Sequence, residues 1–410
     1  MIFPLLLVVT FLCATVDAGG KIAVSKESNK GLKKNLDSAE AAFAIKLGKL
    51  LNEELKEKNV VYSPLSIFNA LVLILLGLEE GATRDELASF LGFSKNPASL
   101  LTSHQYFSRI LNSVKHSEGV TVNIAAGLFV SNGISLKEQF LEDVKTYYNS
   151  EVTNVAFDSN SGTDFINNWI SNKTNGRIPK LYFSSLPANT KLVLSSALYF
   201  AANWLNPFSK ELIKPDKFNT GFSVVDVKML TNEKTIPYTD NPSLRFRAIG
   251  LDYEKKEFTL YIVLPYEGEL LTNVIKNLEP QHIRQIVGAT QDNITKIEYK
   301  IPYVKYSWNH DLDTQLTTLG IGKLFSSPIL TKSASDSLVV SNVKHAADIE
   351  FTESGTIASA VTVIGVSRVG LELSVEDPIK FYVDKPFAFF IYHHETNSIL
   401  FKGWVYNPLE

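Results

Sequence analysis

The hydrophobic period of this chain changes once, near Lys191, and that change restricts its architecture more than any other feature. Upstream, apolar residues recur at helical spacing. Downstream come "LVLSSALYF" (192–200), "FTLYIVL" (258–264), "IEYKIPYV" (297–304), "FYVDKPFAFFIYHH" (381–394) and "SILFKGWVYN" (398–407). Several of these are apolar on both faces, as strands buried in a large sheet system are. The first helix is predicted from Asp37 as N-cap with Glu40 three residues on, followed by Phe43, Leu47, Leu50 and Leu51 on one face. Further helical patterns follow Pro64 and cover 84–91, 100–115, 136–148 and 163–173. The polar turn His393-His394-Glu395-Thr396-Asn397 joins the last two strands into a hairpin. Helices first and strands later predict an α+β fold.

The apolar opening "MIFPLLLVVTFLCATVDA" (1–18) ends in Val16-Asp17-Ala18 and reads as a cleaved secretory signal, too short to span a membrane. A secreted, extracellular, soluble product is therefore expected. The single cysteine, Cys13, lies inside that leader, so the mature chain has neither a disulfide nor thiol chemistry, and a large core must hold it together. The sequons at Asn172 and Asn293 fit export as glycosylation sites. The net charge of −3 gives no strong global field for nucleic acid or an anionic membrane. Five lysines between Lys21 and Lys34 read as a solvated tail over 19–36, ahead of the first helix. The stretch "SSPILTKSASDS" (326–337) is too short to mark a domain boundary.

No Gly-x-Ser-x-Gly elbow, paired cysteines, His-Glu-x-x-His or phosphate loop is present; Gly320-Ile321-Gly322-Lys323 lacks the upstream glycine. His393, His394 and Glu395 cluster on a hairpin tip, where a solvated turn is expected rather than a metal site. Neither metal nor cofactor is expected, and the weight falls on a binding or inhibitory protein instead of an enzyme. One segment stands out: "SGTIASAVTVIGVSR" (354–368) is uncharged until Arg368 and lacks proline, a composition that invites strand addition.

"NVVYSPLSIFNALVLILLGLEEGATRDELASFLGF" (59–93), "FINNWISNKTNGRI" (165–178), "LVLSSALYFAANW" (192–204), "VKHAADIEFTESGT" (343–356) and "DKPFAFFIYHHETNSILFKGWVYNP" (384–408) resemble, in order and spacing, the signature segments of the serpin family. The resemblance implies a single domain over 37–410, about nine helices packed around three β-sheets, and an exposed reactive loop between "FTESG" and "DKPF". In inhibitory members a target protease attacks that loop, and the cleaved loop inserts as a new strand that drags the acylated protease along. Insertion requires alternate side chains to fit beneath the sheet. Counted from Thr356 these are Thr356, Ala358, Ala360, Thr362 and Ile364, none charged. Roughly ten new ladder hydrogen bonds at about 1 kcal/mol each, plus apolar burial, release on the order of ten kcal/mol or more.

The resemblance assigns the hinge to Glu353, Ser354, Gly355, Thr356, Ala358 and Ala360, with Ser354, Ile357 and Val361 departing from the common pattern. Slower insertion is the expected effect, and it keeps open a non-inhibitory carrier, storage or regulatory serpin whose loop is cleaved as substrate. The usual interval from Glu353 puts the scissile bond after Val369, whereas Arg368 is the one basic residue of the run. A guanidinium pairs with the carboxylate of a trypsin-like pocket, which favours Arg368-Val369 and a trypsin-like serine protease as covalent partner; Val369 as bait implies an elastase-like target. Ser63, Ser66 and His345 match the shutter, where Ser196 replaces an asparagine and offers one donor instead of two. Trp204 matches the breach tryptophan, preceded by Ala201-Ala202 in place of a Lys-Gly pair, and Trp404 stands where arginine is common. Arg109, Lys115 and His116 fall where some members bind glycosaminoglycan, a sparse footprint here. A monomer is expected.

Overall fold

The computed structural model describes residues 26–327, 338–356 and 377–410. In chain order the elements are α1 (Lys26–Glu54), β1 (Val60–Tyr62), α2 (Pro64–Gly77), α3 (Ala82–Phe90), α4 (Pro97–Lys115), β2 (Val120–Ser131), α5 (Glu138–Tyr148), β3 (Glu151–Val155), α6 (Asn160–Lys173) and β4 (Leu192–Asn203). They continue with β5 (Lys214–Asn219), β6 (Val224–Asn241), β7 (Phe246–Asp252), β8 (Phe258–Pro265), α7 (Leu271–Asn277), α8 (Pro280–Asp292), β9 (Ile294–Pro302) and β10 (Val304–Asp311). Last come the short α9 (Asp313–Leu316) and α10 (Lys323–Ser326), then β11 (Asn342–Phe351), β12 (Gly355–Thr356), β13 (Ile379–Tyr382), β14 (Phe387–His393) and β15 (Ser398–Val405).

One sheet has six strands in the order β10-β11-β12-β4-β2-β3, and the other runs β1-β15-β14-β8-β7-β6-β9-β13 with β5 on β6. Strand β6 divides the larger one, pairing with β9 over Met229–Pro237 and with β7 over Tyr238–Asn241. The fold is α+β. Strand β4 explains why its sequence is apolar throughout: Leu194, Leu198 and Phe200 enter the main core, while Val193 and Ala197 join a second core beneath α6. Helix α2 is apolar all round because it is buried almost completely; it starts at an N-cap, Ser63, whose hydroxyl accepts from Ser66 N at 3.1 Å, with Pro64 next.

Several expectations need correction. The first helix begins at Lys26, so 26–36 is helical and not a tail. Asp37 and Glu40, which read as a capping box, lie inside α1 and hold the C-terminal hairpin. Asp37 accepts from Asn397 Nδ2 at 2.9 Å, and Glu40 accepts from Ser398 Oγ at 3.0 Å and Ile399 N at 2.9 Å. The helical half also contains β1, β2 and β3, and β2 is antiparallel to β4 from Val120 to Val130. Its Ala125-Ala126-Gly127 centre dilutes the alternation that marks a strand. "IEYKIPYV" is two strands, since Pro302 has no N–H for a ladder and β9 ends there. Residues 1–25, with the leader, lie outside the described residues. Among the described residues no helix is long and apolar enough to cross a membrane.

Candidate functional site

The segment expected as the hinge ends in the six-stranded sheet, where Gly355 and Thr356 are its described rungs. Below it, β11 and β4 pair directly and in parallel, from Asn342 against Val193 to Ala347 against Leu198. Above Ala347 they diverge, and Gly355-Thr356 fills the gap, Gly355 facing Asn203 and Thr356 facing both Ala202 and Phe351. A tight turn sets this up: Thr352 Oγ accepts from Gly355 N at 3.2 Å, and Thr352 N donates to Gly355 O at 2.9 Å. Only glycine fits at 355, because a Cβ there would stand 2.0 Å from Ala202 O.

Trp204 holds the turn from the side. Its Nε1 donates to Thr352 O and its backbone N to Ser354 O, both at 2.9 Å, while Phe208 N donates to Glu353 O at 2.9 Å. The indole stacks on Tyr253 at 4.6 Å between ring centroids. The hydroxyls of Tyr253 and Thr356 are 2.6 Å apart, both groups being buried, and burial pushes the tyrosine hydroxyl far above its ordinary pKa. Thr356 thus enters the sheet with its side chain beneath, on the face that alternation assigns to it. Sequence reasoning missed Thr352, Phe208 and Tyr253.

Lower down the seam, Ser63, Ser66, Ser196 and His345 come together, all buried. Ser63 N donates to His345 Nε2 at 2.9 Å, and His345 Nδ1 lies 2.9 Å from Ser196 Oγ. That arrangement makes Nδ1 the protonated nitrogen. Burial pushes the imidazole down to about 3, against a smaller opposing effect from Ser196, so it is neutral at physiological pH. Ser66 Oγ reaches both Ala125 O at 3.2 Å and Ala197 O at 2.9 Å, tying α2 to β2 and β4. Ser196 Oγ therefore accepts from His345 Nδ1 beside the seam.

The remaining candidates are dispersed. Ala358, Ala360, Arg368 and Val369 lie outside the described residues. His393 is fully buried, contrary to the expected solvated turn: it stacks on Phe258 at 4.5 Å, its Nδ1 lies 2.8 Å from Thr396 Oγ1, and its Nε2 lies 3.2 Å from Ser117 Oγ. His394 instead meets Thr259 at 2.8 Å, and the Glu395 carboxylate accepts from Ser113. Arg109 and His116 are exposed, but the Lys115 amine turns towards Tyr148 O at 3.5 Å, so the three make no single basic patch. Asn172 and Asn293 are exposed, while the hydroxyl of the first sequon's Thr174 is buried against Ile170 O. Trp404 is buried and donates from Nε1 to Lys58 O at 3.0 Å.

The family model described as Serpin (serine protease inhibitor) matches residues 38–408. The chain is a serpin. Serpin A3-2 of Bos taurus is 31% identical over 379 residues, covering 92% of this chain and 90% of its own. Iripin-2 of Ixodes ricinus is 32% identical over 356 residues, 85% of this chain and 88% of its own. Among solved structures, human thyroxine-binding globulin complexed with thyroxine superposes with a TM-score of 0.84 at 26% identity, covering 93% of this serpin and 100% of that chain. The family is one of protease inhibitors, not of catalysts in the usual sense.

Proposed function

We propose that this serpin is a secreted suicide inhibitor of a trypsin-like serine protease, with Arg368-Val369 as the scissile bond. In this reading the protease serine Oγ attacks the Arg368 carbonyl, the Val369 amine leaves with a proton, and an ester joins the two proteins. Before water resolves that ester, the freed loop inserts between β4 and β11.

The observation that carries the reading is the seated pair Gly355-Thr356, which occupies the first rungs of a strand between β11 and β4. Continuing the register in which Thr356 faces Ala202 brings Val366 opposite Leu192, the first residue of β4. The strand that β4 can accept therefore ends just short of Arg368. The parallel rungs between β4 and β11 are replaced by antiparallel ones, which are slightly more stable per residue.

The test is incubation of the mature protein with trypsin, followed by a denaturing gel. A complex that survives boiling, absent in Arg368→Ala, is expected; cleavage at 368 with no complex overturns the inhibitor. That second result favours a carrier, as in thyroxine-binding globulin. One observation speaks for it: a cavity of about 250 Å³ between α1, α8 and β14–β15, lined by Asp37, Ile283, Arg284, Val287, Tyr392 and Asn397. Its volume is at or below the ~300 Å³ lower end for small-molecule sites, so it ranks second. Titration with thyroxine tests it directly.

A further inference from the structure

A strap runs across the β4–β11 seam into which β12 must be extended. Helix α6 stands on the other side of it, its Ile166, Trp169 and Ile170 packed with Ala125 and Phe129 of β2, Val155 of β3 and Val193 and Ala197 of β4. Phe129 meets the Trp169 ring at 5.1 Å and the Phe165 ring at 6.2 Å. Gly162 N also donates to Ala156 O at 3.1 Å, so α6 is bound to the end of β3. Most of the helix's footing is on the β3-β2-β4 block, with Ala346 of β11 reaching the same core from across the seam.

The chain leaving α6 spans both blocks: Ile178, Leu181 and Tyr182 join the core under α6, and Asn167 Oδ1 accepts from Leu181 N and Tyr182 N at 2.8 Å, while its polar side chains reach the opposite strands. Arg177 Nε donates to Asp348 Oδ1 of β11 at 2.7 Å, and its Nη2 lies 2.6 Å from Asp348 and 2.9 Å from Glu350. The Nη2 contacts are charge contacts without good hydrogen-bond direction, so Nε supplies the directed bond. Ser307 and Tyr303, at the β9–β10 edge, donate to the same two carboxylates. Asn309 Nδ2 of β10 donates to Leu181 O at 2.8 Å, and the Tyr182 hydroxyl donates to Asn342 Oδ1 of β11 at 2.9 Å. Asp348 and Glu350 have side chains only 5% and 13% exposed, so neither carboxylate keeps full hydration if Arg177 departs.

Parting β4 from β11 by one strand spacing, about 4.8 Å, strains this link. The apolar footing of α6 is non-directional and moves with its own strands. The guanidinium is the directed, charged contact that must let go. We propose that Arg177, with Asp348 and Glu350, is a clasp that sets the rate at which the β4–β11 seam opens. It is a positioning group that acts on the sheet and never touches the protease. Its bearing on inhibition rests on the inhibitor reading above, whereas its hold on the seam does not.

The test compares wild type, Arg177→Met and Arg177→Lys for uptake of a labelled synthetic peptide with the sequence of residues 356–367, followed on native gels, and for complex formation with trypsin. Uptake at least about tenfold faster in Arg177→Met, with Arg177→Lys in between, is expected for loss of a charged hydrogen bond. Asn397→Ala, which loosens the distant hairpin, serves as a variant lowered in stability away from the seam. Unchanged uptake by a natively folded Arg177→Met overturns the clasp, and so does equal acceleration in Asn397→Ala. If wild type forms no trypsin complex but Arg177→Met alone speeds peptide uptake, the inhibitor reading falls and the clasp stands.

Discussion

Thr356 and Tyr253 share one buried hydroxyl pair, the side-chain bond that holds the last described residue of the segment in the sheet. Thr356→Val keeps the branched shape and leaves the tyrosine hydroxyl unpaired, at a cost of about 1–3 kcal/mol. Thermolysin cleavage within the hinge is expected to quicken by about tenfold or more, and an unchanged cleavage rate removes the bond from the account. Two buried groups set opposite pH limbs. His345 titrates near 6.5 when unfolded but only near 3 when folded, so its stabilising effect is complete above pH 6.5 and is lost as pH falls towards 3, at up to about 1.4 kcal/mol per pH unit. His393, pushed down to about 4 by burial, adds to the same limb. Urea titrations at pH 5 and pH 7 should show a smaller loss in His345→Gln than in wild type. Glu40 behaves oppositely: burial raises it from 4.5 to about 8, so its contribution is present below pH 4.5 and is lost as pH rises through 8. Glu40→Gln should flatten that alkaline decline.

At the scale of elements, the C-terminal hairpin is held on one side by α1, through Asp37 and Glu40, and on the other by Ser113 of α4 and Ser117 just beyond its end. His393→Ala opens a gap against Phe258 and strips partners from Ser117 and Thr396; a loss of about 2–4 kcal/mol in urea unfolding is expected. A neutral result removes the His393 contacts from the hairpin's hold and leaves it to the α1 ties and the Ser113–Glu395 bond. The same hairpin shows what local pattern can and cannot reveal. Strands β4, β8 and β15 were legible because both their faces are buried, which leaves apolar runs that no solvent-facing helix carries. The start of α1 was not, since an aspartate and a glutamate three apart serve a cap and a tertiary tie equally well. Tyr253 was illegible for another reason: its partner is 103 residues away, and nothing beside it in the chain marks the meeting. Asp348 and Glu350 did leave a trace, as two acids two residues apart in a strand otherwise buried, a pattern that demands a cation.

For the whole molecule, the native form is the one in which β4 and β11 still touch. In the proposed mechanism loop insertion exchanges that contact for a full strand on each side, so cleaved protein should melt well above intact protein in a calorimeter. Equal melting temperatures would falsify insertion. Thr356→Arg asks for a charge where the sheet's underside is closed, and it is expected to leave cleavage by trypsin intact while abolishing the stable complex.

Trp204 has one more consequence. Of the four tryptophans, it is the one that touches residues 352–354 among the described residues, through its indole N–H and its backbone, while Trp169 sits on the inner face of α6 and Trp308 stacks on His310. The protein thus carries one built-in optical probe beside residues 352–354 and another on α6. Single-tryptophan variants emitting from 204 and from 169 would time, in one stopped-flow mixing, whether the hinge stirs before the strap yields.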